Sequence, residues 1–283
     1  MTCRGEDYVE IVEIVDRGSG TPLVLIPGLQ GRWEYMRGTV NALAASFRVL
    51  TFSLSPRRKS DGSSDRTYGL DDYASQVAAA LDAKAIDRAV VCGVSFGGLV
   101  ALRFAAAQPA RVMALILAST PAPGWHVRRR HEVYARAPWI FGPLFLIETP
   151  LRLREEVLTA LPERTRRWRF ALRQAATLVR APLSLRRMGE RGRMLSALDL
   201  AGDCARVSAP TLVVTGEQSL DHVVPTSGAS EYVRLIAGAC GAVLDRTGHI
   251  GSMTRPDEFA ALVHEFVMRS QSSAVGAQGR AAS

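Results

Sequence analysis

One stretch restricts the fold of this chain more than any other. Val90-Val91-Cys92-Gly93-Val94-Ser95-Phe96-Gly97-Gly98 is an apolar run that breaks at a glycine, presents a single serine, and resumes as an alanine-rich segment. An unbroken apolar run suits a strand buried on both faces, and the Ala- and Leu-rich residues after it suit a helix. No loop separates the two, so the turn between them must be sharp. Glycines on either side of Ser95 permit it, because side chains at Gly93 or Gly97 would crowd the backbone. A serine at that position can also be a plain helix cap, accepting an N–H bond from the first turn.

The same rhythm recurs on both sides of this stretch. Tyr8 to Val15 alternates β-formers with acids, as an opening strand with one solvated face would. Leu23-Val24-Leu25-Ile26 is a wholly apolar strand that ends at Pro27-Gly28-Leu29-Gln30-Gly31, with a helix expected from Trp33 to Ala45. A strand over Arg48 to Phe52, a polar loop from Ser53 to Thr67 and a helix from Asp71 to Ala83 precede the serine turn. The helix from Phe96 to Ala107 leads to another apolar strand, Val112 to Ala118. Strands separated by helices predict a mostly parallel sheet flanked by helices, an α/β fold with right-handed crossovers.

The rhythm stops at Pro121. From there to Leu198 the chain offers Arg-rich helical stretches punctuated by prolines and no convincing strand. It resumes with a strand at Thr211 to Thr215, a helix at Ser230 to Ala237, a strand at Ala242 to Asp245 and an amphipathic helix at Pro256 to Met268. The simplest organisation is a core of residues 1–120 and 200–269, with a helical insertion, 121–199, between the fourth and fifth parallel-type strands. The small, polar residues 270–283 predict a disordered tail.

Charge and cysteines narrow the function classes. The chain of 283 residues carries a net charge of +8, and the segment 121–199, with 16 arginines and 7 acids, accounts for the whole excess. Those arginines alternate with Leu, Trp and Ala at helical spacing, which fits the solvated face of amphipathic helices better than a nucleic-acid surface. No stretch has the length of a membrane span, and acidic Glu6 and Asp7 stand where a secretory signal would need an apolar core. Cys3, Cys92, Cys204 and Cys240 are scattered, as free thiols of a reducing compartment would be, so the expected location is cytoplasmic.

A serine hydroxyl becomes a useful nucleophile only when a base takes its proton, and the base needs a carboxylate to hold its tautomer. Gly93-x-Ser95-x-Gly97 has the spacing of a nucleophile elbow, which makes Ser95 the candidate nucleophile. His249, in Thr247-Gly248-His249-Ile250-Gly251 just after the last strand, is the candidate base, the alternative being a buried structural histidine. His264, His126, His131 and His222 are assigned surface or packing roles. The loop Gly216 to Pro225 contains Glu217 and Asp221; Asp221, ahead of an apolar run closed by Pro225, is the candidate acid, the alternative being a helix cap. Acyl transfer also needs donors for an oxyanion. The backbone N–H groups of Phe96 and Leu29 are the candidates. Gly28, Trp125 and Trp139 are the candidate substrate-binding residues.

These residues, in the order Ser95, Asp221, His249, resemble the α/β-hydrolase superfamily over residues 8–269, with a helical cap at 121–199. The resemblance implies a serine hydrolase cleaving carboxylic esters through an acyl-enzyme, without cofactor or metal, on a small-molecule ester or related acyl substrate. Cap aromatics, among them Trp139, Phe141, Phe145 and Trp168, would either roof an apolar pocket or form the cap's own core. A serine rather than an aspartate at the elbow argues against the dehalogenase and epoxide-hydrolase chemistries of that superfamily. Two places depart from its common pattern: Pro27-Gly28 replaces His-Gly, and Ser53-Leu54-Ser55-Pro56-Arg57-Arg58-Lys59 replaces a Gly-rich Asp-x-x-Gly-x-Gly-x-Ser loop. The same triad also serves lactones, thioesters, carbon–carbon cleavage, perhydrolysis and acyl transfer, and a non-catalytic binding protein is a further alternative. Nothing in the sequence indicates an oligomeric state.

Overall fold

The computed structural model describes residues 13–55, 68–124, 148–195, 198 and 200–281. Among the described residues seven strands form one sheet: β1 (Ile14–Arg17), β2 (Pro22–Ile26), β3 (Arg48–Phe52), β4 (Ala89–Val94), β5 (Val112–Ala118), β6 (Thr211–Thr215) and β7 (Cys240–Val243), in the order β1-β3-β2-β4-β5-β6-β7. β1 runs antiparallel to β3, and every other pairing is parallel. The first half of the opening strand expected from Tyr8 lies outside the described residues.

The central strands read as continuous apolar runs because neighbouring residues serve opposite faces. Val24, Ile26, Leu50, Phe52, Val91, Leu115 and Val213 join one hydrophobic cluster with α2 (Leu70–Asp82), α3 (Phe96–Ala107), α7 (Ala201–Arg206) and α8 (Ala229–Leu235). Leu23, Leu25, Val49, Val90, Cys92, Ile116 and Leu212 join the other with α1 (Arg37–Leu43) and with α10 (Pro256–Ala281), which follows the short α9 (Gly251–Thr254). Cys92, Cys204 and Cys240 are free thiols. A buried Asp203, 2.9 Å from Arg103 Nε, ties α7 to α3.

Three local expectations shift. The helix expected from Trp33 begins as a 3-10 turn, Trp33–Met36, and turns α-helical at Arg37. β7 lies two residues earlier than its apolar residues suggest; it is an edge strand with Cys240, Gly241 and Val243 exposed, so pairing with β6 rather than burial sets its bounds. Where the composition of 270–283 predicts no order, α10 continues to Ala281. Its extension includes serine hydroxyls bonded one turn back, Ser270 Oγ to the Phe266 carbonyl at 2.9 Å and Ser273 Oγ to the Arg269 carbonyl at 3.0 Å.

Between β5 and β6, ahead of α7, the described residues include α4 (Arg154–Ala160), α5 (Arg164–Arg180) and α6 (Leu185–Met194). α5 buries no residue, and Trp168 on it is 59 % exposed, so this tryptophan belongs to neither a roof nor a core. Trp125, Trp139, Phe141 and Phe145 lie outside the described residues. Because β2, β4, β6 and β7 are parallel, the segments that follow them all emerge at one edge of the sheet, where α/β sheets gather their functional groups. Ser95, Asp221, His249 and the Pro27 to Gly31 turn are all on those segments.

Candidate active site

Ser95 occupies the junction of β4 and α3 in a left-handed conformation, φ 54° and ψ −120°. A non-glycine residue there costs of order 1–3 kcal/mol and persists only where its surroundings over-determine it. They do: the Ser95 N–H donates to the Ala118 carbonyl of β5 at 2.8 Å, and the Ser95 carbonyl accepts from Gly98 at 2.9 Å. The flanking glycines are required by approach. A Cβ on Gly97 would strike the Ile26 carbonyl of β2, and one on Gly93 the Gly97 carbonyl.

His249 leaves the β7 end on the turn Thr247-Gly248 and brings Nε2 to 3.1 Å from Ser95 Oγ. Its Nδ1 lies 3.3 Å from Asp221 Oδ2. The Asp221 side chain is 2 % exposed, and Oδ1 accepts from the N–H groups of Val223 and Val224, each at 2.9 Å. Burial works to raise the Asp221 pKa. The His249 hydrogen bond and charge and the two N–H groups more than offset it, so this carboxyl stays below its usual range. Asp221 thus holds its own turn with one oxygen and faces His249 with the other.

Glu217 accepts from the Arg246 N–H at 2.6 Å, shaping the base loop instead of facing the imidazole. His264 stacks edge-on to Phe47 with ring centroids 5.9 Å apart, and exposed His222 lies 3.0 Å from Glu155. Gly28 lies against Ser95: a Cβ on it would be 3.4 Å from the serine Cβ. Phe96 opens α3 and is buried against the edge of Tyr73. Trp125 and Trp139, with His126 and His131, lie outside the described residues.

Two residues of the insertion reach this centre without any sequence signal for it. Arg191 of α6 is buried and donates from Nη1 to the Leu29 carbonyl at 2.8 Å and from Nη2 to the Leu54 carbonyl at 2.7 Å, with Nε 3.3 Å from the Tyr73 hydroxyl. Glu156 of α4 is fully buried beneath the His249 loop. Both sit in arginine-rich amphipathic runs that read as solvated. Among the described residues, no cluster of three or more His, Cys, Asp or Glu could hold a metal ion, and no helix is long and apolar enough to cross a membrane.

A family model described as the alpha/beta hydrolase family matches residues 23–262. The chain is 28 % identical over 265 residues to the protein named "Putative carbamate hydrolase RutD" from Azorhizobium caulinodans, covering 88 % of this chain and 92 % of that one. It is 27 % identical over 275 residues to the 2-hydroxymuconate semialdehyde hydrolase of Pseudomonas sp. strain CF600, covering 92 % and 91 %. Among solved structures it resembles the enol-lactonase from Burkholderia xenovorans LB400, with a TM-score of 0.73 and 23 % identity over 90 % of this chain and 96 % of that one. The sheet order, the turn at Ser95 and the matched span agree, and the chain belongs to the alpha/beta hydrolase family.

Proposed function

We propose that this hydrolase is a serine enzyme that cleaves carboxylic esters. The observation that carries the proposal is the line Ser95 Oγ, His249 Nε2, His249 Nδ1, Asp221 Oδ2, with separations of 3.1 and 3.3 Å at its two gaps, starting from a strained serine. His249 takes the Ser95 proton as Oγ attacks the carbonyl carbon, then delivers that proton to the departing alkoxide. Water activated by the same imidazole releases the acid. Asp221 fixes the imidazole tautomer and faces the imidazolium that forms.

The oxyanion is received by the N–H groups of Phe96 and Leu29. Phe96 is the first residue of α3, where N–H groups have no partner within the helix. Leu29 follows Gly28, which borders Ser95. The helices between β5 and β6 act as a cap over this edge of the sheet, and Gly28 lines the substrate space beneath it.

The relatives' names widen the panel without changing the step. An enol-lactone is a cyclic ester open to the same attack, and a carbamate presents the same kind of carbonyl. The test is a fluorophosphonate probe with intact mass and peptide mapping, beside turnover of p-nitrophenyl esters, an enol-lactone and an aryl carbamate. Covalent labelling at Ser95 with ester turnover is expected. Folded protein that neither labels nor turns over would overturn the proposal in favour of a binding protein.

A further inference from the structure

The insertion meets the His249 loop through one carboxyl. Glu156 Oε1 and Oε2 accept from the Ile250 N–H at 2.9 and 3.2 Å, and the same carboxyl lies against the Gly248 backbone. Gly248 and Ile250 flank His249 in sequence. Gly248 leaves room for this: a Cβ on it would lie 2.9 Å from Glu156 Oε2 and would strike the Leu220 carbonyl. The rest of α4 reinforces the contact. Glu155 Oε2 lies 3.0 Å from His222 Nε2, next in sequence to Asp221, and the Thr159 carbonyl accepts from Arg246 Nη2 at 2.9 Å. One short helix therefore grips the loop of the acid and the loop of the base together.

A carboxyl is a costly group to place there. Burial pushes the Glu156 pKa up to about 6, the Asp221 charge pushes the same way, and the Gly248 and Ile250 backbone and His249 pull against them. The charged groups facing it are Asp221 and His249 from the two loops, while Glu155, His222 and Arg246 meet on the exposed side of α4. Packing alone would be served better by a neutral side chain.

We propose that Glu156 is a positioning residue whose carboxylate clamps the backbone on both sides of His249, so that placement of the imidazole against Ser95 depends on the seating of α4. This rests on the serine-hydrolase proposal above. Glu156 touches no reacting atom. It acts through the His249 loop, and the insertion thereby contributes to reactivity as well as to enclosure.

The test compares the unaltered protein with Glu156→Gln and Glu156→Ala in three measurements: the rate of Ser95 phosphonylation, kcat and KM on a p-nitrophenyl ester, and the thermal midpoint at pH 8. Glutamine keeps the shape but has one accepting oxygen where the carboxylate has two, and alanine has none. The expected losses are about tenfold and about a hundredfold in labelling rate and kcat, the scale of a misplaced catalytic group, with KM little changed. The Glu156→Gln midpoint is expected to hold or rise, which a merely structural role would not produce. The rate ratio of unaltered protein to Glu156→Gln should also shrink as the pH falls through about 6, where Glu156 becomes neutral. Equal labelling of folded Glu156→Gln and unaltered protein would overturn the proposal, and that variant decides if Glu156→Ala does not fold. Failure of the unaltered protein to label would instead remove the serine-hydrolase proposal and this one with it.

Discussion

His249 Nε2 lies 3.1 Å from Ser95 Oγ although 154 positions separate the two residues in the chain. The parallel sheet closes that distance: β4 and β7 end at the same edge, and each residue sits just beyond its strand. Removing the hydroxyl tests what the proximity does. Ser95→Ala should abolish ester turnover and probe labelling while moving the thermal midpoint by no more than about 2 °C, since a partly exposed hydroxyl contributes little packing. Retained turnover in that variant would place the nucleophile elsewhere.

Asp221→Asn should lower kcat by about 10⁴, because an amide can still accept from Val223 and Val224 but no longer holds the reactive tautomer or faces the imidazolium. Steady-state kinetics with circular dichroism as a folding control make the comparison.

His249→Ala should lose turnover, whereas His264→Ala should keep it. His264 only stacks edge-on to Phe47, so its loss should appear as a small drop in the urea midpoint and leave kcat unchanged.

Glu156 gives stability an unusual pH dependence. Its folded pKa of about 6 exceeds the ordinary 4.5, so the folded state holds this proton more tightly than the unfolded chain does. The favourable contribution is therefore present in acid and is lost as the pH rises from 4.5 through 6, amounting to about 2 kcal/mol. Asp221 works in the opposite sense: its pKa is lowered by folding, so its contribution is lost on acidification. Urea unfolding of the unaltered protein and of Glu156→Gln across pH 4.5 to 7.5 isolates the first effect, with the difference expected to favour the variant at the upper end.

Arg191→Met should destabilise the chain by about 2–4 kcal/mol, because the Leu29 and Leu54 carbonyls lose buried donors that methionine cannot replace. It should also slow phosphonylation, since the turn carrying Leu29 is no longer held from α6. Chemical unfolding and labelling rate measure the two effects separately.

Local chemistry was enough for much of the fold. The apolar runs at Leu23 to Ile26 and Val112 to Ala118 mark β2 and β5, since strands buried on both faces have no alternation to obscure them. Gly93 and Gly97 prescribe the turn around Ser95 because no bulkier residue fits at either position. The edge strand β7 was less legible, being mostly exposed and bounded by its pairing with β6.

The chain order of Ser95, Asp221 and His249 was likewise readable from loops that follow strands. Neither Glu156 nor Arg191 was, and the reason is visible in one pair of residues. Glu155 and Glu156 are adjacent and identical in type, yet Glu155 meets solvent beside His222 while Glu156 is fully buried against the Gly248 and Ile250 amides. Successive residues of a helix point about 100° apart, so a run of charges specifies an amphipathic helix without saying which charge turns inward. The sequence by itself determined the sheet, the serine turn and the order of the three candidate residues, all encoded within a few neighbouring positions. Which carboxyl turns inward against the His249 loop was decided only when α4 docked on loops far along the chain, because the partners that make burial of that charge tolerable are backbone groups with no side-chain signature.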